Sequence, residues 1–263
     1  MKPILAIAST TLGEAIRRRV LLIILFIGVL LIVFMPGLGV LSARQEATVL
    51  RSLVLGIIQL TSAVIAIVLT VYMLPNEIER RTIYTILSKP VLRWQFLVGK
   101  YLGAIMALGM MMLLMTVIVI LVMMFQQGTR DMSALADMAK APVLYFVQMS
   151  LLAAVGIFFS TFVSPIVNFF LTGGVYLMGS LFAPFFDTLS SSQNVPAMAK
   201  LAAQVVNTIL PNFATYNVQN DIINPGQVIQ NELTYYLSAT GYGFMYIGVL
   251  IIGGILIFDR REV

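Results

Sequence analysis

The chain has no cysteine and no histidine among its 263 residues. Without thiols there is no disulfide framework, no thiolate nucleophile and no zinc–thiolate site. Without imidazole, a Ser–His triad, an H-E-x-x-H metalloprotease and a His-ligated haem or copper centre are excluded. Charge is scarce too. The 16 Lys and Arg and 11 Asp and Glu make up 10% of the chain, where soluble domains carry ~25%. What is abundant is apolar: 60% of the residues. A water-soluble globule of this size has nowhere to hide so much apolar surface, because more than half of any protein surface is apolar already. Disorder is excluded by the same composition. The expected fold class is all-α, a polytopic membrane bundle that counts as one unit.

A spanning helix needs about 20 apolar residues for a ~30 Å hydrocarbon core. Stretches free of Asp, Glu, Lys and Arg run over residues 20–43, 52–76, 101–129, 141–186 and 233–258. The fourth is too long for one crossing, since its 46 residues at ~1.5 Å rise would reach roughly 69 Å. Ser164-Pro165 lies near its middle, and proline ends the ladder before it. That run therefore reads as two helices, near 142–163 and 166–186. The expectation is six transmembrane helices.

The basic residues orient them. With the N-terminus inside, the inner segments hold Lys2, Arg17, Arg18, Arg19, Arg80, Arg81, Lys89, Arg93, Lys100, Arg260 and Arg261. The outer segments hold only Arg44, Arg51, Arg130, Lys140 and Lys200. This obeys the positive-inside rule and puts both termini in the cytoplasm. The net charge of +5 is thereby explained by topology, and no nucleic-acid partner is needed. The first apolar run is longer than a signal-peptide core and reads as a span, not a cleaved leader.

Residues 1–19 are amphipathic. Leu5, Ala8, Leu12 and Ile16 share one helical face. The segment reads as an interfacial helix on the inner leaflet, anchored by Glu14, Arg17, Arg18 and Arg19, with the arginines near lipid phosphates. Residues 76–95 form the densest polar stretch. Ile78, Thr82 and Ile86, with Ile83 and Leu87, fall at helical spacing, and Lys89-Pro90 ends the short helix. Anchoring alone would not require the carboxylates Glu77 and Glu79 or the aromatic Tyr84. An amphipathic helix with charges at both ends suits docking into a protein groove. The last outside segment, 187–232, is long and holds Lys200 against Asp187, Asp221 and Glu232. Within it, 195–210 has a helical apolar pattern broken by Pro211-Asn212. This reads as a helix dipping into the outer leaflet, as a cap over an exit, or as a surface helix that closes the bundle.

The run Glu79-Arg-Arg-Thr82-Ile-Tyr-Thr-Ile-Leu87-Ser-Lys-Pro90-Val-Leu-Arg93, followed by Gly99-Lys100-Tyr-Leu-Gly103, resembles the cytoplasmic coupling loop of ABC-transporter permeases of the second, exporter-like, six-span type. The N-terminal Glu14-Ala-Ile-Arg17-Arg-Arg-Val-Leu resembles their entry helix. Many relatives carry Gly where this chain has Arg81. Some permeases of this type are associated with copper-enzyme maturation. The resemblance implies a single permease domain over 1–263, dimeric with a second copy or a similar permease, in the bilayer of a bacterial inner membrane. It implies a separate cytosolic ABC ATPase that binds ATP and Mg. Coupling to that ATPase would fall to Glu77, Glu79, Arg80, Arg81, Thr82, Ile83, Tyr84, Leu87, Lys89, Pro90 and Arg93. The chain itself is not expected to be an enzyme. Its Gly99-Lys100 pair has Trp94 where a P-loop needs its first Gly and Tyr101 where it needs Ser or Thr. No cofactor and no metal is expected on this chain.

Other features have plainer readings. Met110, Met111, Met112, Met115, Met123 and Met124 cluster in the third span, and thioethers suit Cu(I). Three consecutive methionines point different ways around a helix, so flexible packing is the better reading. Gly99, Gly103 and Ala107 have small-xxx-small spacing, which permits close helix contact, here read as packing within one subunit. Gln59, Thr61, Ser62, Thr116, Gln148, Ser160, Asn168 and Thr172 are the span residues that could face a pathway, although Ser and Thr in spans usually bond backbone carbonyls. No span has a charge in its middle, which argues against a proton-coupled carrier. A secondary carrier or channel and a non-transporting assembly scaffold remain the alternatives.

Overall fold

The computed structural model describes residues 2–35, 37, 46–75, 92–127, 132–191, 196–218 and 231–260. Among these the elements are α1 (Lys2–Arg17), α2 (Arg19–Phe34), α3 (Glu46–Val71), α4 (Arg93–Gln127), α5 (Met132–Ser160), α6 (Pro165–Leu177), a π turn (Met178–Phe182), α7 (Ala183–Ser191), α8 (Ala197–Ile209), a 3-10 turn (Ala214–Tyr216) and α9 (Glu232–Arg260). No strand occurs among the described residues. Helix is the expected outcome for apolar runs that must satisfy every backbone group within the segment.

Among the described residues, five stretches are long and apolar enough to cross a membrane: Val49–Val71, Arg93–Phe125, Ala139–Ser160, Pro165–Ser190 and Glu232–Arg260. The apolar helix α2 has 16 residues, short of the ~20 that a full crossing takes. Residues 38–43 of that apolar run lie outside the described residues, so six crossings depend on them.

Two sequence breaks shape the bundle. At Arg18 the backbone is extended (φ −72°, ψ 109°), which separates α1 from α2. At Ser164 the pre-proline residue is also extended (φ −69°, ψ 157°). Pro165 then opens α6, where its missing N–H costs nothing. The long fourth run is thus divided at the proline.

The spanning stretches of α3 and α5 are mostly buried and form the centre. The stretches Pro165–Ser190 and Glu232–Arg260 are mostly exposed, as lipid-facing helices are, and so is α2. Small residues set the closest approaches. A Cβ at Gly28 of α2 would stand 2.6 Å from Thr61 Cγ2 of α3. A Cβ on Gly156 of α5 would collide with the Thr70 hydroxyl of α3. Among lipid-exposed helices such small-residue contacts replace a hydrophobic driving force with van der Waals packing.

The segment 187–232, expected as a long outside loop, contains more. The helix begun at Pro165 continues through the π turn to Ser191. Helix α8 packs back along α7. The following leg, 211–218, then turns into the bundle, where Phe213 and Tyr216 are fully buried and Asn217 and Val218 nearly so.

Candidate functional site

Of the residues expected to couple to an ATPase, Glu77, Glu79, Arg80, Arg81, Thr82, Ile83, Tyr84, Leu87, Lys89 and Pro90 lie outside the described residues. Arg93 is described, and it opens α4. The amide of Leu92 donates to Gln95 Oε1 at 3.3 Å, a side-chain cap on the helix start. The Arg93 guanidinium turns to the far end of the chain. Its Nη1 donates to Phe258 O at 3.1 Å and to Asp259 O at 3.2 Å. These are terminal carbonyls of α9 that have no partner within the helix, and a cation there also suits the helix dipole. One turn on, Phe96 stacks on Phe258 with centroids 6.1 Å apart. Leu97 fills the space beside Gly254, where a Cβ would stand 3.3 Å from Leu97 Cδ2.

An adjoining flank of α4 holds α1. A Cβ at Gly99 would stand 2.9 Å from Ile7 Cβ, and one at Gly103 would stand 2.6 Å from Thr11 Cβ and 2.7 Å from Ala8 O. Ala107 is fully buried on the same stripe. Lys100 lies between, 3% exposed. Its ammonium is 3.9 Å from Glu14 Oε2 and 5.8 Å from the Phe96 ring centroid. A buried cation is tolerated when a carboxylate and an aromatic face compensate it. Glu14 therefore faces α4, while Arg17 and Arg19 are exposed on either side of the Arg18 break. A third tie runs from Tyr101, whose hydroxyl donates to Ser150 O of α5 at 3.2 Å. The start of α4 thus joins α9, α1 and α5 within three turns.

The other end of α9 is tied as firmly. Lys140 of α5 meets Glu232 at 3.0 Å. The end of α8 and the leg after it are held by hydroxyls of α9. Tyr246 donates to Thr208 O at 3.0 Å, Tyr235 donates to Thr215 O at 2.6 Å, and Tyr242 Oη accepts the Asn212 amide at 3.0 Å. Tyr216 of the leg donates to Ala239 O at 3.0 Å. Tyr242 lies ten residues beyond Glu232, about 15 Å along the helix at ~1.5 Å per residue. The turn at Pro211–Phe213 therefore lies at the depth of Tyr242 along α9.

That depth is where the candidate pathway residues Gln59 and Gln148 meet. Gln59 Nε2 donates to Gln148 Oε1 at 3.0 Å, and Gln148 Nε2 donates to Phe213 O at 3.1 Å. Above them Tyr145 donates to Asn217 Oδ1 at 2.9 Å. The leg is also seated on the π turn. Gly179 O accepts the Phe213 amide at 2.9 Å, and a Cβ on Gly179 would stand 2.6 Å from the Phe213 ring. A π turn inside an α-helix shifts its register by one residue, and such turns gather at functional sites.

The remaining pathway candidates bond internally. Asn168 Nδ2 donates to Gly156 O at 3.0 Å, and Thr172 donates to Asn168 Oδ1 at 2.8 Å. Thr116 and Ser160 donate to carbonyls of their own helices, Met112 O and Ile157 O. Ser62 is buried with no hydrogen-bond partner among the described residues. In the methionine cluster, Met111, Met112, Met115 and Met123 are buried, whereas Met110 and Met124 are exposed, as packing around a helix dictates. Sequence reasoning missed Lys100, Phe96, Tyr145, Asn217, Tyr216 and the α9 tyrosines. Their partners are far along the chain, so local spacing gives no signal for them.

Among the described residues no group of three or more carboxylates is placed to hold a metal ion. A comparison with curated proteins finds no match. A family model of ABC-2 family transporter proteins matches residues 5–263. With nearly its whole length matched and its long apolar helices, the chain belongs to the ABC-2 transporter family, as a membrane permease subunit of an ABC transporter.

Proposed function

We propose that this chain is the membrane half of an ATP-driven exporter, worked by a separate cytosolic ATPase that docks on the 77–93 loop through residues 77–87, with Pro90 and Arg93 setting the return of the loop into α4. The observation that carries this reading is the placement of Arg93. The polar stretch that resembles a coupling loop feeds directly into α4, the helix whose first turns hold α1, α5 and α9. A push on the loop is therefore delivered to a junction of the bundle. In this reading the Arg93 end is cytoplasmic, and the run from Val20 to Ala43 completes a sixth crossing. ATP and Mg are bound by the partner, and two permease copies form the working unit.

The substrate class follows from what the spans lack. Among the described residues the span interior carries amides and hydroxyls that, Ser62 apart, bond one another or backbone carbonyls, and no carboxylate or ammonium sits at its middle. Ion pathways usually display such charges. An amphiphilic or lipid-linked substrate fits this lining better than an ion.

The test is a mild-detergent pull-down of the tagged chain from its native membrane. A stoichiometric P-loop ATPase that is lost when residues 79–87 are scrambled supports the proposal. A chain that purifies without any ATPase, at every detergent strength, overturns it in favour of a carrier or scaffold.

A further inference from the structure

We infer that α9 is the transmission rod of this permease, with Arg93 as the positioning residue that connects it to the coupling loop. The inference rests on the reading of residues 77–87 as the ATPase dock. It adds where the stroke goes: along α9 to the re-entrant leg 211–217, which is the moving part at the other end.

The geometry points to this in three steps. First, Arg93 and the terminal carbonyls of α9 are joined by two hydrogen bonds, with Phe96 stacked on Phe258 beside them. Hydrogen bonds from a charged donor are short-ranged and directional, so a shift of Arg93 carries the helix end with it. Second, an α-helix is stiff along its axis, and α9 has 29 residues, about 43 Å at ~1.5 Å per residue. It joins the two ends without an intervening loop. Third, the far half of α9 holds the leg through three hydrogen bonds, at Tyr235, Ala239 and Tyr242, and the end of α8 through a fourth, from Tyr246 to Thr208 O. On its other side the leg is held by two hydrogen bonds with α5, at Gln148 and Tyr145, and by one with Gly179 of the π turn.

The leg therefore has two sets of partners, and α9 holds one of them. Displacement of α9 relative to α5 has to break the Phe213–Gln148 bond or the tyrosine grip. The Phe213 carbonyl then needs a new partner, which makes two discrete arrangements, the requirement for real coupling. Opening of the leg would uncover the Gln59–Gln148 pair at the depth where a substrate must pass. Arg93 thus acts within the permease, on α9, and does not itself touch the ATPase.

The absence of native cysteine makes the test direct. Ile209, at the end of α8, and Leu60, on α3, are both well exposed. Ile209→Cys with Leu60→Cys takes a spin-label pair, and the complex with its ATPase is placed in lipid nanodiscs. The expected result is an inter-label distance that shifts between the nucleotide-free and ATP-trapped states. With Arg93→Gln the ATPase still co-purifies and hydrolyses ATP, but that shift is lost. Arg93→Lys, which keeps one cationic donor, restores part of it. A full shift in Arg93→Gln overturns the inference, as does a parent complex with no shift at all. Loss of ATPase binding in Arg93→Gln also overturns it, by placing Arg93 in the dock. If no ATPase binds the parent chain, the reading of the 77–93 loop falls first and the inference with it. Should Arg93→Gln not assemble, Tyr216→Phe with Tyr242→Phe cuts the grip from the other end. That pair is expected to abolish the shift with hydrolysis retained, and an unchanged shift overturns the inference.

Discussion

Gly103 of α4 lies against Thr11 of α1 so closely that a Cβ on the glycine would stand 2.6 Å from the threonine Cβ and 2.7 Å from the Ala8 carbonyl. One side of that contact is backbone, which cannot rotate away. Gly103→Ala is therefore expected to push α1 off α4, at about 1–3 kcal/mol, the usual cost of overpacking. Thermal unfolding of the purified chain reads the loss, and hydrogen exchange locates it in residues 2–17. Gly13→Ala is the control, since nothing lies within 4 Å of its Cβ position. It should be neutral or raise stability by about 0.5–1 kcal/mol through helix propensity.

Gln148 serves two partners, accepting from Gln59 and donating to Phe213 O. Gln148→Leu orphans both, whereas Gln59→Leu leaves Gln148 still bonded to the carbonyl. The first should cost more than the second. Hydrogen bonds within a bundle in lipid average ~0.6 kcal/mol and reach ~1.7 kcal/mol, so the difference should be of that order. Equal costs in a double-mutant cycle with reversible detergent unfolding would show that the Phe213 bond contributes nothing.

Gly179 accepts the Phe213 amide and has no room for a side chain. Gly179→Ala should unseat the leg and increase exchange at the Phe213 and Asn217 amides. Gly173→Ala and Gly174→Ala, with open space at both Cβ positions, should leave those amides protected.

Glu79→Arg combined with Arg81→Glu reverses two charges of the proposed dock while preserving the net charge. Membrane insertion should be unaffected. Binding of the ATPase, and any stimulation of its hydrolysis by the permease, should fall at least tenfold, equivalent to about 1.4 kcal/mol. Unchanged binding measured by pull-down and hydrolysis assay would remove these residues from the dock.

Much of the bundle could be read from local pattern. Ser164-Pro165 divided the long apolar run because proline disfavours helix at the residue before it, and α6 starts there. The apolar periodicity of 195–210 matches α8, Ala197–Ile209. Gly99 and Gly103 announced a close helix contact by their spacing. In each case the constraint acts between residues a few positions apart, where spacing in the chain maps directly onto a helical face.

The re-entrant leg was not legible in this way. Pro211-Asn212 signals a turn, but nothing near it says that Phe213 and Tyr216 go inward. Their burial is decided by α9 hydroxyls, by Gln148 on α5 and by Gly179 on the π turn. Lys100 looked like an ordinary positive-inside charge and Arg93 like part of the coupling loop, and both were found bonded within the bundle. The Arg93 partner is 165 residues away.

The sequence by itself determined the solvent, the helices and their breaks. Apolar runs must hydrogen-bond internally in lipid, and proline and charge mark where they end. Tertiary structure alone decided which polar groups pair: Gln59 with Gln148, Arg93 with the end of α9, the tyrosines with the returning leg. A buried polar group takes whatever donor or acceptor the packed helices bring within 3 Å or so. That choice exists only once helices distant in the chain lie side by side.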